Sequence, residues 1–242
     1  MNILFKNKLT RLFYDGRSII CKSDNLFDEI IGHDHIKRLF TMALQADHQP
    51  VSILLAGPPA SAKTLFLQCL MKLHDSYFID GSNTTKAGII DYIFVHGPKF
   101  LLIDELDKLS SKDQTFLLNL LETGIVTETK YKKTREMKVK TFVFATSNNI
   151  QKIIPPLQSR FFIVRLEPYT YEQFYEITVR LLTSSRYNVD EEIANTVADA
   201  TWDKSQDIRD CVRVGQMAKT VEDVYWITDT FLKYKTEKIS YQ

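Results

Sequence analysis

Apolar runs closed by polar residues alternate with amphipathic stretches through the first two thirds of the chain. Val51–Ala56, Tyr77–Ile79, Phe100–Ile103, Phe142–Ala145 and the run that follows Arg160 are short and continuous, which predicts buried strands. Between them lie helical stripes, at Ile36, Leu39, Phe40, Ala43 and Leu44, and again at Leu65, Phe66, Cys69, Leu70 and Leu73. Further helices are expected over Ala87–His96 and Gln114–Leu121, with Pro50 and Gly97-Pro98 as breakers. Strands alternating with helices imply an α/β fold: a parallel five-stranded sheet with helices on both faces. From Pro168 the pattern turns wholly helical, over Tyr171–Ser185, Asp190–Thr201, Asp207–Ala218 and Val221–Tyr234, with Asp190 and Asp207 as N-caps. The expected organisation is an N-terminal arm (1–24), an α/β domain (25–168) and a small all-α domain (169–242).

Residues 124–140 break the alternation. β-Branched residues recur there around Lys130, Tyr131, Lys132, Lys133, Arg135, Lys138 and Lys140, which predicts a β-hairpin with a basic tip near 130–136. Two readings stay open for it: a solvated hairpin whose lysines discourage edge pairing, or a contact to nucleic-acid phosphates. The arm also mixes cationic and apolar residues. It fits a segment docked on the domain, a nucleic-acid arm or a targeting helix.

The net charge of the 242 residues is only +1, so any binding to DNA must come from such local patches. Three scattered cysteines (Cys21, Cys69, Cys211) imply a reducing compartment and no disulfide framework. With no apolar run of about 18 residues and no secretory pattern, a cytoplasmic protein that does not engage membranes is expected.

The candidate chemistry begins after the first strand, at Gly57-Pro-Pro-Ala-Ser-Ala-Lys-Thr64. A strand, a tight loop and Lys-Thr at a helix start form the layout of a phosphate-binding loop, where backbone N–H groups and the helix dipole face an anion. Lys63 would reach the β/γ-phosphates of a nucleotide and Thr64 would hold magnesium. Ala62 stands where the pattern has glycine, and is acceptable if its φ is that of a helix's first turn. Asp104 and Glu105 end the Phe100 strand at the same sheet edge, as a magnesium ligand and a residue orienting the attacking water.

These residues, taken in order, resemble the AAA+ ATPases over about residues 25–235. The opening motif Phe27–Gly32, Walker A at Gly57–Thr64 and Walker B at Leu101–Glu105 are followed by Asn148 in Ala-Thr-Ser-Asn. Arg160 in Pro-Leu-Gln-Ser-Arg-Phe and Arg209 in Asp-Ile-Arg-Asp complete the set. The resemblance is greatest to the RuvB-type motor of Holliday-junction branch migration, which carries a hairpin between Walker B and the next strand. Two departures are Asn148, where that motor usually has Thr, and the lack of a winged-helix domain after the helical lid. The Ala-Lys form of Walker A also occurs in replicative minichromosome-maintenance helicases.

The resemblance implies ATP hydrolysis with Mg²⁺ at interfaces within a ring, most simply a hexamer. Gly57, Pro58, Pro59, Ala60, Ser61, Ala62, Lys63, Thr64 and Leu65 would surround the nucleotide, with Ile31 against the adenine. Thr64 and Asp104 would hold the metal, and Glu105 with Asn148 would position water. Arg209 would sense the γ-phosphate and Arg160 would reach the neighbouring subunit's nucleotide. The same three polar residues have simpler readings: Arg160 and Arg209 as surface charges, Asn148 as a strand-end turn residue. Lys130, Lys132, Lys133 and Arg135 are the expected DNA contacts, with a partner or adaptor protein supplying further DNA binding. The implied functions are a DNA-remodelling motor, a clamp-loader-like switch, or a protein-remodelling assembly factor.

Overall fold

The computed structural model describes residues 26–46, 49–130 and 133–235; the arm of residues 1–24 lies outside them. Five strands, β1 (Ile53–Ala56), β2 (Ser76–Asp80), β3 (Phe100–Asp104), β6 (Phe142–Ser147) and β7 (Phe162–Arg165), form one sheet in the order β2-β3-β6-β1-β7. It is the parallel sheet expected, with β2 running beside β3 from Ser76↔Phe100 to Asp80↔Asp104, and β3 beside β6 from Phe100↔Phe142. In-register parallel strands bring Asp80 and Asp104 level at the carboxyl edge, where ligands of such sheets bind.

The two-residue period of a strand distributes the core over both faces. Leu101, Ile103, Val143 and Ala145 join Ile89, Ile90 and Ile93 of α3 (Lys86–His96) and Phe116, Leu117 and Leu120 of α4 (Ser111–Thr123). Phe144 takes part in an aromatic cluster with α1 (Asp34–Leu44) and α2 (Lys63–Leu70). Phe40 lies 5.3 Å from both Phe66 and Phe144, and Phe27 lies 5.6 Å from Phe66. Truncating the fully buried Phe144 to alanine would cost about 3–5 kcal/mol. Phe27 of the opening motif thus anchors the chain in this cluster.

Local signals end the helices as anticipated. α3 starts at Thr85, whose hydroxyl accepts from Gly88 N–H, and stops at the left-handed Gly97. α4 is capped by the Ser110 hydroxyl, which accepts from Asp113 N–H, and ends at the left-handed Gly124. The segment after it forms the antiparallel pair β4 (Ile125–Lys130) and β5 (Lys133–Lys138). The ladder continues to Lys130↔Lys133, so residues 134–136 belong to the strand rather than to the tip. Strand pairing, with Glu128 opposite Arg135, extends the hairpin further than the run of positive charge suggests.

The short α5 (Pro155–Gln158) precedes β7, and four helices follow: α6 (Tyr171–Leu182), α7 (Glu191–Trp202), α8 (Ile208–Met217) and α9 (Val221–Lys235). Thr170 and Gln173 form a reciprocal capping box on α6, and Asp190 and Asp207 cap α7 and α8. Phe174, Leu182, Val197, Cys211, Val214 and Val224 make their core. Contacts divide the described chain into two compact units, one within Met1–Leu55 and Thr64–Val164, the other comprising Ala56–Lys63 and the residues from Arg165. Among the described residues no helix is long and apolar enough to cross a membrane.

Candidate nucleotide site

The loop after β1 closes by its own hydrogen bonds. Lys63 is 6% exposed, and its ammonium donates to the carbonyl of Gly57 at 3.0 Å, to the carbonyl of Pro58 and to Ser61 Oγ at 3.2 Å. Ser61 Oγ donates in turn to the Pro58 carbonyl at 2.7 Å. A buried ammonium needs such acceptors, and a polyphosphate of opposite charge would be a stronger partner than neutral carbonyls. Gly57 is required by close approach, since a Cβ there would lie 2.6 Å from the Leu166 carbonyl oxygen.

The backbone of this loop departs from the expectation for Ala62. Its φ is 60°, and that of Ala60 is 64°, both in the left-handed region. Ala62 is therefore not in the helix's first turn: α2 begins at Lys63, and the residue before it turns the chain into the helix. That conformation suits glycine, and an alanine there is strained by about 1–2 kcal/mol.

At the carboxyl edge, Thr64 Oγ1 donates to Asp104 Oδ2 at 3.0 Å, so a hydroxyl and a carboxylate face one point. Such a pair fits Mg²⁺, which usually takes one or two protein oxygens and completes its shell with water and phosphate. Among the described residues no group of three or more His, Cys, Asp or Glu could form an all-protein cage. Thr146, 1% exposed, sits behind the acids. Its hydroxyl donates to Asp104 Oδ1 and accepts from the Glu105 N–H at 2.9 Å.

Glu105 is held by both carboxylate oxygens. Asn148 Nδ2 donates to Oε1 at 3.1 Å, and Ser82 Oγ donates to Oε2 at 2.9 Å. Glu105 has φ 52° and ψ 50°, a left-handed conformation for a non-glycine residue. Strain of this kind concentrates at functional positions. It is enforced from β2, because Gly81 N–H donates to the Asp104 carbonyl at 2.8 Å and a Cβ on Gly81 would lie 2.4 Å from the Glu105 carbonyl oxygen. The Asp80 carboxylate, which accepts from the Ser82 N–H at 2.8 Å and from Asn83, is held below its ordinary range by those bonds, the backbone one foremost.

Ser82 and Thr146 were not among the expected site residues. Each is a polar residue at the carboxyl end of a strand, the one signal that marks them in the sequence. Thr64 meets Asp104 and Asn148 meets the adjacent Glu105 at this edge. Ile31 is half-buried after the fully buried Ile30, and Leu65 is half-buried at the start of α2.

Arg160 and Arg209 have partners of their own. Arg160 follows α5; its guanidinium donates to Glu122 Oε2 at 2.9 Å and to the Pro156 carbonyl at 2.8 Å. Its Nε is buried and makes no hydrogen bond among the described residues. Arg209, in the first turn of α8, chelates the capping Asp207 at 2.7–3.1 Å. That bond raises the Arg209 pKa, and the side chain stays 67% exposed.

In the hairpin, Arg135 is engaged by Glu128 and by Asp91 of α3. Lys130 and Lys133 pair at the last rung of the ladder. Lys132, with Tyr131, lies outside the described residues.

Residues 53–169 match the family described as ATPase family associated with various cellular activities (AAA). The chain is 27% identical over 221 residues to a replication factor C small subunit from Sulfolobus acidocaldarius, covering 82% of this chain and 62% of that one. It is 26% identical over 149 residues to the DNA replication licensing factor mcm2 of Xenopus laevis, covering 50% of this chain and 17% of that one. The chain thus spans less than two thirds of the length of these curated relatives. A solved variant of RuvB from Thermotoga maritima has the same fold, with a TM-score of 0.65 at 20% identity over 84% of this chain and 72% of that one.

Proposed function

We propose that this chain, whose residues 53–169 belong to the AAA family of ATPases, hydrolyses ATP with Mg²⁺ at sites shared between ring neighbours and uses the cycle to remodel DNA. The observation that carries the reading is the Glu105 carboxylate, fixed by Ser82 and Asn148 beside the Thr64–Asp104 pair. In phosphoryl transfer the protein contributes positioning and charge stabilisation. Lys63 exchanges its loop carbonyls for phosphate oxygens. Ser61, Ala62 and Gly57 present backbone to the phosphates, and Pro58, Pro59 and Ala60 shape the turn. Thr64 and Asp104 hold Mg²⁺, which when bound neutralises charge on the phosphates. Glu105, oriented by Asn148, accepts a hydrogen bond from the attacking water and aims it at the γ-phosphorus. Arg209 leaves Asp207 for the γ-phosphate, Arg160 completes the neighbour's site, and Ile31 and Leu65 flank the base.

DNA as the substrate is supported by the name of one relative, a DNA replication licensing factor, and by the run of basic residues over positions 130–140 of the sequence. Such a run contacts phosphates without reading sequence, so binding weakens steeply with salt. A second reading, a clamp-loader-like ATP switch, is favoured by the similarity to replication factor C small subunits across 82% of the chain. In the motor, DNA sustains repeated turnover; in the switch, ATP binding does the work and hydrolysis is a single release step.

The test mixes two inactive subunits. Glu105→Gln should lose about 10²–10⁴ in turnover while retaining ATP, and Arg160→Ala about 10³–10⁵. Mixed equally, they should regain about a quarter of wild-type activity, since random ring neighbours place an intact Glu105 beside an intact Arg160 at roughly one interface in four. No recovery would refute the shared site. Steady-state rates without DNA and with single strand, duplex and four-way junction then separate motor from switch. Identical rates in all four would refute the DNA reading.

A further inference from the structure

We propose that residues 1–24 of one copy dock on the outward face of α9 of a second copy, at Tyr225 and Trp226. The inference rests on the reading of the chain as a ring of copies, and it gives the arm a role outside the nucleotide site.

α9 carries two apolar faces. Its inward positions are Val224 and Thr228, both fully buried, with Ile227 packed against the core of Phe174, Leu182 and Val214. Glu222, Tyr225, Trp226 and Asp229 follow at i, i+3, i+4 and i+7, which places them on one stripe turned away from that core. All four are exposed, Trp226 by 70% and Tyr225 by 56%. The helical core is closed by other rings: Trp202 lies 5.2 Å from Phe174 and 5.6 Å from Tyr171. Tyr225 and Trp226 therefore serve no packing within the helices, and these are the side chains that carry binding energy at protein interfaces.

Charge narrows the occupant. Residues 221–230 hold Glu222, Asp223 and Asp229 and no cation, so the two rings stand between carboxylates. A complementary partner is apolar and basic. The arm has that composition: Phe5, Leu9, Leu12 and Phe13 recur at i, i+4, i+7 and i+8, the period of the α9 stripe. Lys6, Lys8, Arg11, Arg17 and Lys22 lie among them, against only Asp15 and Asp24. A lysine or arginine placed over the Trp226 ring adds cation–π attraction.

The root of the arm is fixed, because Phe27 is buried with its ring 5.6 Å from that of Phe66. From there the eleven residues 14–24 extend up to about 36–40 Å, far enough to cross to an adjoining copy. Each copy gives one arm and offers one α9, a head-to-tail contact of the kind that closes rings. Tethering raises the local concentration of the arm to about the millimolar range, so a Kd of tens of micromolar is sufficient.

The test uses the whole chain. Leu9→Asp with Leu12→Asp spoils the apolar stripe of the arm and leaves α9 intact, and Trp226→Ala does the reverse. Melting curves check that each folds. In sedimentation, each should need about 30-fold more protein than wild type to assemble, the loss typical of one interface hot spot. Mixed equally, the two should assemble at lower concentration than either alone, since intact arms meet an intact α9 at roughly one interface in four. No gain on mixing would refute the contact between copies.

A labelled peptide of residues 1–24 is then titrated into the Leu9→Asp/Leu12→Asp chain, whose own arm no longer competes, and followed by anisotropy. Adding Trp226→Ala should weaken its Kd about 30-fold. Glu222→Gln should weaken it by up to about fivefold, an effect that salt removes. Equal binding with and without Trp226 would overturn the proposal. If wild type sediments as a single chain, the ring reading fails, while the titration still decides whether arm and α9 recognise each other. If the arm variant assembles like wild type and binds DNA more weakly, the arm is a nucleic-acid contact and the docking is refuted.

Discussion

Replacing Ala62 with glycine is expected to stabilise the protein, although alanine-to-glycine changes usually do the reverse. At φ 60° the methyl group of Ala62 crowds its own backbone, a strain of about 1–2 kcal/mol that glycine removes. Glycine also gives the unfolded chain more freedom, which offsets about 0.4–1 kcal/mol of that gain. The net change is a stabilisation of about 0–1.5 kcal/mol. No loop hydrogen bond is lost, because the Ser61 hydroxyl and Lys63 ammonium bonds involve no side-chain atom of residue 62. Had Ala62 been in the helix, the same change would cost about 1 kcal/mol, so the two geometries differ in sign. Thermal unfolding without nucleotide should show Ala62→Gly melting up to about 3–6 °C above wild type, from a conversion of about 2–4 °C per kcal/mol for a chain of this size. Ala60→Gly, at φ 64°, should behave alike. A melting point a few degrees below wild type would refute the left-handed loop.

Gly81→Ala should destabilise by about 1–3 kcal/mol, since the new methyl meets a backbone oxygen that cannot rotate away. It should also slow hydrolysis by displacing Glu105, so unchanged turnover would contradict the steric account. Glu122→Ala removes an exposed partner of Arg160 and should change stability by no more than about 1 kcal/mol by denaturant unfolding. Its ATPase should depend less steeply on protein concentration than wild type, if that pairing competes with reaching a neighbour. The pKa of Asp80 is lowered in the folded state, so its contribution is present above the ordinary value of 3.8 and lost as pH falls through the depressed folded value. Asp80→Asn should therefore flatten the acid limb of a melting-temperature profile, and an unchanged limb would rule the contribution out.

The sequence by itself determined the elements and their order. Strands showed as continuous apolar runs and helices as stripes, because burial on a sheet or one helix face dictates those periods within a few residues. Asp190 and Asp207 were legible as caps for the same reason, since a cap bonds N–H groups only two or three residues on. The acids at 104 and 105 were legible because strand ends of a parallel sheet converge on one edge, whereas Asn148 was singled out only through the family resemblance. Tertiary structure alone decided how those residues are held. Ser82 lies 23 positions before Glu105 and Glu122 lies 38 before Arg160, and no local period records which polar side chains will meet across such distances. Arg135 looked like one more cation in a basic run until strand register set it against Glu128, and packing on α3 added Asp91 and Phe94. Ala62 was misjudged for a related reason. Whether the residue before a helix adopts positive or negative φ is set by the path the loop takes from β1, and an alanine in the sequence carries no mark of it.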